Sequence, residues 1–260
     1  HRSAERYADR TAFYFMGRRI TYRELEKLVN RFTRALEELG VRPRDKVAML
    51  LPNLPQLIIA NLAAYHLGAV TVMNNPLYQE RELAYQLNDS DSRWLICLDL
   101  LLPRALKLRV ETKIEAIVAC HINDCLPFPK KQLYPLVKKK MYRKVAPEPG
   151  VFLFMDLMAC QPDGPVASHA RWEDLAALLY TGGTTGVSKG AMLTHAHIST
   201  VIQQFSAWFP DLRDSPETLM GVYPIFHSAG YSVSQNLTLL NGWTSIVVPR
   251  PEPGFIVEML

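Results

Sequence analysis

The stretch KVAMLLPNLPQLIIANLAAYHLGAVTVM, residues 46–73, decides the fold expected for this chain. Its first part, KVAMLL at residues 46–51, is an apolar run that predicts a buried strand, and a Pro-Asn turn follows it. Pro55–Leu67 has the length and composition of a helix that ends at Gly68, and AVTVM at residues 69–73 predicts the next strand. Strand, helix and strand in this order form a βαβ unit, in which the two strands lie parallel.

The same alternation continues on the carboxyl side of that unit. Helical patterns cover Arg81–Leu87 and run from Leu100 to about Arg109, and apolar strands cover residues 93–98 and 115–120. Apolar strands that alternate with helices are typical of a parallel sheet that is covered on both faces. We therefore expect an α/β fold with largely parallel sheets and flanking helices.

Two further groups of elements are predicted outside this region. Thr21 and Glu24 have the spacing of a capping box, so a helix should begin there. Near the other end of the chain, Leu175–Tyr180 and Ala191–Thr194 have the pattern of strands, and His195–Trp208 has the pattern of a helix.

The composition is that of a folded protein. The chain has 260 residues, of which 48% are hydrophobic and 21% charged, and this excludes a disordered or collagen-like chain. Two stretches without charged residues, Val47–Gln79 and Thr218–Pro249, are the candidates for membrane spans. Prolines, histidines and amide side chains interrupt both, whereas a span needs about 20 predominantly apolar residues. We expect neither to cross a membrane.

The periodicity fails in the middle of the chain. Residues 121–170 contain seven of the 18 prolines, which favours a long irregular loop. The expected organisation is therefore βαβ units over residues 1–120, a Pro-rich basic loop over residues 121–170, and a last part over residues 171–260.

The basic residues of that loop form a cluster. The segment Lys130–Lys144 has no acidic residue and contains seven basic ones: Lys130, Lys131, Lys138, Lys139, Lys140, Arg143 and Lys144. Such a run is either a solvated face or a surface that docks on anionic lipid. The net charge of the chain is only +4, and stacking aromatics do not accompany a basic face over the whole chain, so we expect no nucleic-acid binding.

The four cysteines favour a reducing compartment. They form no CxxC pair and no disulfide-rich spacing, and the chain opens at His1 without a signal-peptide core, so a cytoplasmic protein is expected. Cys120, His121 and Cys125 lie close together, but no second pair of ligands follows at a recognisable spacing. We therefore expect no zinc site there.

The chemistry is expected in the loop between the two later strands. The segment YTGGTTGVSKG, Tyr180–Gly190, has four glycines, four hydroxyl side chains besides the tyrosine, and Lys189. Glycines allow consecutive backbone N–H groups to face one concavity, and hydroxyls and an ammonium group add donors, so a polyphosphate fits this loop. The order of Ser188, Lys189 and Gly190 differs from that of a Walker motif, and no Rossmann fingerprint follows a strand. A plain Gly/Thr surface turn is the alternative.

The run YTGGTTGVSKGAMLTH, residues 180–195, resembles the phosphate loop of the AMP-forming adenylate-forming enzymes, which include the acyl-CoA synthetases. Gly182 is similar to the bacterial long-chain fatty acid–CoA ligases, since most of the superfamily has Ser there. Ser188 departs from the usual Pro or Ala, which should alter the stiffness of the loop. Residues 20–41, 47–56 and 64–90 resemble the family's first helix and βαβ units, and the run GVYPIFHSAG, residues 221–230, resembles a second motif.

The resemblance implies the amino-terminal part of the acyl-CoA synthetase large domain. It also implies a site for ATP and pyrophosphate made by Tyr180, Thr181, Gly182, Gly183, Thr184, Thr185, Gly186, Val187, Ser188, Lys189, Gly190 and Ala191. Lys189 and Thr184 would be catalytic, and Thr184 is also the candidate ligand for Mg²⁺. His227 would be the gate of an acyl pocket whose wall includes Tyr223, Phe226 and Tyr231. Without the resemblance, the default interpretation is a structural histidine and three core aromatics.

The reaction implied by the resemblance has two steps. A fatty carboxylate attacks the α-phosphorus of ATP to give acyl-AMP and pyrophosphate, and the thiol of coenzyme A then displaces AMP. The family's motifs for adenine, ribose and the adenylation lysine do not occur before Leu260, and we expect this chain to lack the lysine-bearing carboxyl-terminal domain and to be inactive by itself. Another adenylate-forming ligase and a non-catalytic nucleotide-binding module remain as alternatives.

Overall fold

The computed structural model describes residues 2–182, 187–212 and 215–249. The strands of the described residues are β1 (Thr11–Phe15), β2 (Arg18–Thr21), β3 (Lys46–Leu50), β4 (Val70–Met73), β5 (Trp94–Leu98), β6 (Ala116–Cys120), β7 (Val151–Leu153), β8 (Leu175–Thr181), β9 (Lys189–Thr194), β10 (Thr218–Gly221) and β11 (Thr244–Val247). The helices are α1 (Arg2–Arg6), α2 (Tyr22–Glu38), α3 (Pro55–His66), α4 (Glu80–Asp89), α5 (Leu102–Glu111), α6 (Lys130–Val137), α7 (Phe154–Ala159), α8 (His195–Trp208) and α9 (Thr238–Leu240), and a π-helix, Gly230–Leu237, leads into α9.

The larger sheet contains the predicted βαβ units. Its strand order is β7-β6-β5-β3-β4-β8-β9, and every neighbouring pair is parallel except β8 and β9, which are antiparallel. Successive side chains of β3 pack into two different hydrophobic clusters. Val47 and Met49 belong to one cluster, and Ala48 and Leu50 belong to the other. Both faces of the sheet are therefore covered, as the near-continuous apolar strands predict.

A second sheet joins the two ends of the described chain. Its order is β10-β11-β1-β2, and Phe13 of β1 lies opposite Ser245 of β11 in a parallel pair. The hydroxyl of Tyr22 donates hydrogen bonds to the carbonyl oxygens of Thr238 and Trp243, at 3.0 and 2.7 Å. The sequence pattern does not predict the four strands of this sheet.

Helix α2 begins where the capping box predicts it, but only half of the box forms. The hydroxyl oxygen of Thr21 accepts the backbone N–H of Glu24 at 3.2 Å. The carboxylate of Glu24 is instead paired with Arg18, on the neighbouring strand. A complete capping box would satisfy two backbone N–H groups at the start of the helix. Here it satisfies one of them, and the other is left to other partners.

The structure corrects the interpretation of residues 121–170 as an irregular loop. This part contains α6, β7 and α7, and β7 extends the larger sheet by pairing with β6. These elements are three to eight residues long, which is too short for a periodic pattern to emerge from sequence. They are held by packing: Phe154 of α7 is fully buried against Phe32, with 4.4 Å between the ring centroids.

Within the described residues, no helix combines the length and the apolar character needed to cross a bilayer. All four cysteines are free thiols, and Cys97, Cys120 and Cys125 are buried.

Candidate active site

The candidate phosphate loop connects two antiparallel strands. In the β8–β9 pair, Thr181 lies opposite Lys189 and Tyr180 lies opposite Gly190, so both ends of the loop are fixed by sheet hydrogen bonds. Four of the predicted loop residues lie outside the described residues: Gly183, Thr184, Thr185 and Gly186. The described members Thr181, Gly182, Val187, Lys189 and Ala191 are exposed, and Tyr180, Ser188 and Gly190 are half-buried.

The loop leaves the larger sheet at the edge where its parallel strands end. Asn53 follows β3, Asn74 follows β4, and the loop follows β8, which pairs in parallel with β4. In open α/β sheets this carboxyl edge is where ligands bind, because the loops after the strands converge there. The topology therefore brings these three connections to one side of the molecule.

Two buried amides attach the loop to the sheet. The Nδ2 group of Asn74 donates to Oε1 of Gln86 at 2.8 Å, and the Nε2 group of Gln86 donates to the hydroxyl oxygen of Ser188 at 3.4 Å. Asn74 and Gln86 are 1% and 0% exposed. Neither Pro nor Ala could accept this bond at position 188, so the departure of Ser188 from the usual residue gives the loop an additional attachment.

Tyr180 anchors the hairpin to α4. Its hydroxyl donates to Oδ2 of Asp89 at 2.6 Å, and its ring covers Gly190, where an added Cβ would lie 3.2 Å from the ring. Burial, together with the bond to Asp89, raises the pKa of Tyr180. Tyr180 is therefore a neutral donor directed at α4, and a side chain at position 190 would press on its ring.

Lys189 lies at the first position of β9 with its side chain exposed. Among the described residues it has no acidic partner within ion-pair distance, in contrast to Lys27, Lys107 and Lys113, which are paired with carboxylates. Its charge is thus available to an anion held at the loop.

Asn53 holds the second predicted segment against the same edge. Its Nδ2 group donates to the carbonyl oxygens of Gly221 and Tyr223, at 3.1 and 3.0 Å. Its Oδ1 accepts the backbone N–H of Ile225 at 2.8 Å. Asn53 is 4% exposed, so these bonds form away from solvent and fix the path of the chain that leads to His227.

A close contact between the backbones of Pro224 and Gly230 fixes the turn that follows this segment. A Cβ on Gly230 would lie 2.1 Å from the carbonyl oxygen of Pro224, so only glycine fits at the start of the π-helix. The N–H of Tyr231 donates to the carbonyl oxygen of His227 at 2.8 Å, and the ring of His227 accepts the N–H of Ala229 at 3.4 Å.

The four residues predicted for the acyl pocket differ in their surroundings. Tyr223 is 58% exposed, His227 is exposed, and Phe226 is half-buried against the main core. Tyr231 is completely buried within that core, and its hydroxyl has no hydrogen-bond partner among the described residues. The first three thus lie on or near the surface of the described chain, and Tyr231 lies in its core.

A cavity of about 340 Å³ lies elsewhere, between α2, α3 and α8. Its wall includes Leu25, Val29, Tyr65, His66 and His195, and none of the predicted site residues lines it. Burial lowers the pKa of His66 to about 4. No group of three or more His, Cys, Asp or Glu residues in the described ranges is placed to hold a metal ion.

Sequence reasoning missed Asn53, Asn74, Gln86 and Asp89 as parts of this site. Their roles depend on partners that are between 12 and 172 positions away in the sequence. The signals that were present are the buried polar residues placed directly after β3 and β4, at the edge where ligands bind.

Comparisons with known proteins agree with the resemblance. The AMP-binding enzyme family matches residues 1–260. The chain is 34% identical over 96% of its length to a long-chain-fatty-acid–CoA ligase of Bacillus subtilis, and 32% identical over 99% of its length to one of Escherichia coli O157:H7, covering 45% and 47% of those proteins. The crystal structure of an anthranilate CoA ligase in complex with anthranoyl-AMP is similar, with a TM-score of 0.81, 25% identity, and coverage of 96% of this chain and 44% of that one.

The chain therefore spans about half the length of the curated relatives it matches. The similarity to a solved adenylate-binding ligase confirms the α/β fold class, and the match over all 260 residues confirms the resemblance in the sequence. This chain belongs to the family of AMP-binding enzymes.

Proposed function

We propose that this chain forms part of a long-chain fatty acid–CoA ligase that uses ATP, a fatty acid and coenzyme A. In the first step an oxygen of the fatty carboxylate forms a bond to the α-phosphorus of ATP, and the bond to the bridging oxygen of pyrophosphate breaks. In the second step the sulfur of coenzyme A attacks the acyl carbonyl, its proton is released, and AMP departs. The observation that carries the proposal is the β8–β9 loop, with exposed Lys189 at the carboxyl edge of the sheet.

The loop is assigned to the departing pyrophosphate. Lys189 supplies a full positive charge, and the hydroxyls of Thr181, Thr184, Thr185 and Ser188 supply donors together with the glycine backbone. Donors that are fixed in advance stabilise charge that develops in the transition state better than donors that must reorganise. The attachments of Ser188 and Tyr180 to α4 serve this purpose, because they fix both ends of the loop.

The segment held by Asn53 is assigned to the acid. Exposed His227 is the gate beside the carboxylate, and Tyr223 and Phe226 form the apolar wall for the chain, with Tyr231 as the inner part of that wall. The names of the two bacterial relatives support a long-chain acid as the substrate.

Mg²⁺ is proposed to accompany ATP. Mg²⁺ is held well by phosphate oxygens and water with few protein ligands, which suits a loop whose sequence, residues 180–190, has hydroxyl side chains and no Asp or Glu. Thr184 is the protein ligand we assign, and the ion would offset negative charge on the phosphates. We also propose a cytoplasmic location, with peripheral association at the inner face of the membrane.

The test is ATP–pyrophosphate exchange by the protein expressed from its complete reading frame, with a panel of acids from benzoate to long-chain fatty acids. We expect exchange with long-chain acids to exceed exchange with aryl acids. Lys189→Ala should lower the exchange rate by about 10-fold to 1000-fold, as removal of one transition-state donor does. The matched control is Lys107→Ala, an exposed lysine on α5.

Each result of this test has a definite meaning. Exchange that prefers aryl acids would replace the long-chain assignment with another adenylate-forming ligase. No exchange with any acid, while ATP still binds, would favour a nucleotide-binding module. Unchanged exchange in Lys189→Ala would show that the loop does not contact the departing group.

A further inference from the structure

The basic segment, residues 128–144, also carries exposed apolar side chains. Phe128 is 83% exposed, Leu136 67%, Val137 70% and Leu133 48%, and Met141 is exposed as well. Five large apolar side chains in solvent within fourteen residues need an explanation, because such a patch marks a surface that contacts something apolar. The same segment carries seven basic residues and no acid.

Helix α6 arranges part of this surface as one stripe. Leu133, Leu136 and Val137 are spaced by three and four positions, so they lie on one face of the helix. The opposite face carries Tyr134, which is buried in the main core. The helix is therefore amphipathic, but its more apolar stripe faces solvent.

The inner side of the segment is attached to residues that follow strands β5 and β6 of the larger sheet. The Nδ2 group of Asn123 donates to the carbonyl oxygen of Lys131 at 3.0 Å. Beyond the helix, the ring of Tyr142 stacks on His121 with 4.8 Å between centroids, and the N–H of Arg143 donates to Oδ2 of buried Asp99 at 2.6 Å. These contacts hold the segment on the body of the protein and leave its lysines and apolar side chains directed away from it.

The charge of the segment is not neutralised within the described chain. Its lysines form no ion pair among the residues that the structure describes, and Lys130 donates only to the carbonyl oxygen of Met16. Lysines elsewhere behave differently, since Lys27 pairs with Asp163 and Lys113 pairs with Asp91. An anionic partner would therefore meet a positive field that no acidic side chain of the segment opposes.

We propose that the basic segment docks on the surface of an anionic lipid bilayer. Lysine and arginine side chains would meet the headgroups, and Leu133, Leu136 and Val137 would enter the boundary between headgroups and acyl chains. Four of the five exposed apolar residues are aliphatic or methionine, which suits lipid better than nucleic acid, where stacking aromatics are needed. This inference deepens the membrane location proposed above by assigning it to one surface, and its vesicle-binding test does not depend on ligase activity.

Co-sedimentation with vesicles tests the proposal. One set of vesicles contains phosphatidylcholine alone, and the other contains one third phosphatidylglycerol. We expect binding to the second set only, and a loss of binding as the salt concentration rises. The triple substitution Lys138→Ala, Lys139→Ala and Lys140→Ala should weaken binding by about 100-fold, because each basic residue near the surface contributes about one factor of five.

The matched control is the triple substitution Lys27→Ala, Lys107→Ala and Lys113→Ala. It makes the same change in net charge at exposed lysines outside the segment. Its binding should stay near that of the unaltered protein. Equal loss in both triple variants would overturn the proposal, because it would show that overall charge and not this surface decides binding.

A second variant separates a lipid surface from any other polyanion. Leu136→Ser with Val137→Ser keeps all the charge, and both side chains are exposed, so the fold should be unaffected. We expect a loss of vesicle binding of about 10-fold, from the apolar area that no longer enters the bilayer. Undiminished binding by this variant, with displacement of the vesicles by single-stranded RNA, would identify a general polyanion surface and refute lipid docking.

Discussion

The backbone N–H of Ile225 and the side-chain oxygen of Asn53 form a hydrogen bond of 2.8 Å across 172 positions of sequence. The nitrogen of the same amide binds the carbonyl oxygens of Gly221 and Tyr223. One side chain at the end of β3 thus satisfies three backbone groups of the segment before His227. This buried amide ties the candidate acyl segment to the sheet that carries the candidate phosphate loop.

Asn53→Ala should lower the free energy of unfolding by about 3 kcal/mol. The substitution leaves a buried N–H and two carbonyl oxygens without their partner, and each unsatisfied buried group costs about 1–3 kcal/mol, of which water that enters the space recovers a part. Urea denaturation followed by circular dichroism measures the change. Asn88→Ala is the control, because the Asn88 amide also binds a carbonyl oxygen, of Glu111, but in an exposed position, where we expect a change below about 0.5 kcal/mol. An equal loss of the free energy of unfolding in Asn53→Ala and Asn88→Ala would show that burial of the amide does not determine the cost.

Gly230→Ala should be among the most destabilising single substitutions in this chain. The new Cβ would lie 2.1 Å from the carbonyl oxygen of Pro224, so the π-helix or the segment before it must move. We expect a loss of about 3 kcal/mol or more, at the upper end of the cost of overpacking. Gly164→Ala is the control, since no atom lies within 4 Å of its added Cβ, and thermal unfolding compares the two. If the midpoint temperature of unfolding is the same for Gly230→Ala and Gly164→Ala, the backbone near Gly230 adjusts to the added Cβ at little cost in free energy.

Ser188→Ala should loosen the candidate phosphate loop without changing the stability of the whole chain. It removes the acceptor for Gln86, which is a single bond of 3.4 Å. Amide hydrogen exchange at Lys189 and Gly190 should become about 5-fold faster, as expected when a bond of roughly 1 kcal/mol is lost. Ser199→Ala on α8 removes a comparable bond to Gln203 and should leave those amides unchanged. Unaltered exchange in Ser188→Ala would mean that the sheet pairing alone fixes this end of the loop.

The larger sheet could be read from the sequence because its strands are buried on both faces. The runs VAML, residues 47–50, and WLICL, residues 94–98, are apolar throughout and are separated by helices that turns delimit, so local pattern and tertiary environment agree. The second sheet could not be read in this way. Strand β11 pairs with β1 and β10, which lie far from it in the sequence. Its own sequence, TSIV, is only four residues long and does not alternate polar and apolar residues.

In the candidate site too, residues with a local sequence signal could be predicted, and residues whose roles depend on distant partners could not. The loop residues were found because glycines, hydroxyls and a lysine together point to an anion without knowledge of any contact. Asn74 and Gln86 were not found, because a buried amide looks like any other polar residue until its partners are known. The amphipathic helix α6 was hidden for a different reason, since Pro135 lies inside it and breaks the helical pattern.

The contribution of His66 to the free energy of unfolding should fall as the pH falls from about 6.5 to 4. Burial lowers the pKa of His66 to about 4, so between these values the unfolded chain binds a proton that the folded chain does not. Acidification then favours the unfolded state, by up to about 3 kcal/mol. Urea denaturation at several pH values should show this fall in the unaltered protein and a smaller one in His66→Gln. His169→Gln, at an exposed histidine, is the control, and a His66→Gln curve parallel to the unaltered one would reject the assignment.

One thiol should react quickly with a maleimide in the folded chain, and four should react after denaturation. Cys160 is exposed, whereas Cys97, Cys120 and Cys125 are buried. Burial also raises the pKa of Cys125 to about 12, which keeps the unreactive thiol form. Mass spectrometry counts the labels. Cys160→Ser should take up none under native conditions, and fast labelling of that variant would show that the core opens more readily than its packing indicates.

The smaller sheet has a consequence for the synthesis of the protein on the ribosome. The hydroxyl of Thr244 reaches the carbonyl oxygen of Thr11 across 233 positions, and β1 has β11 as its parallel neighbour. At a usual elongation rate, about 10–50 s pass between the emergence of these two strands. During that time β1 and β2 form only a two-stranded hairpin, which is marginally stable alone and has an unpaired edge. The nascent chain therefore presents an open strand until β11 emerges, and this is the period in which a chaperone would protect it from aggregation.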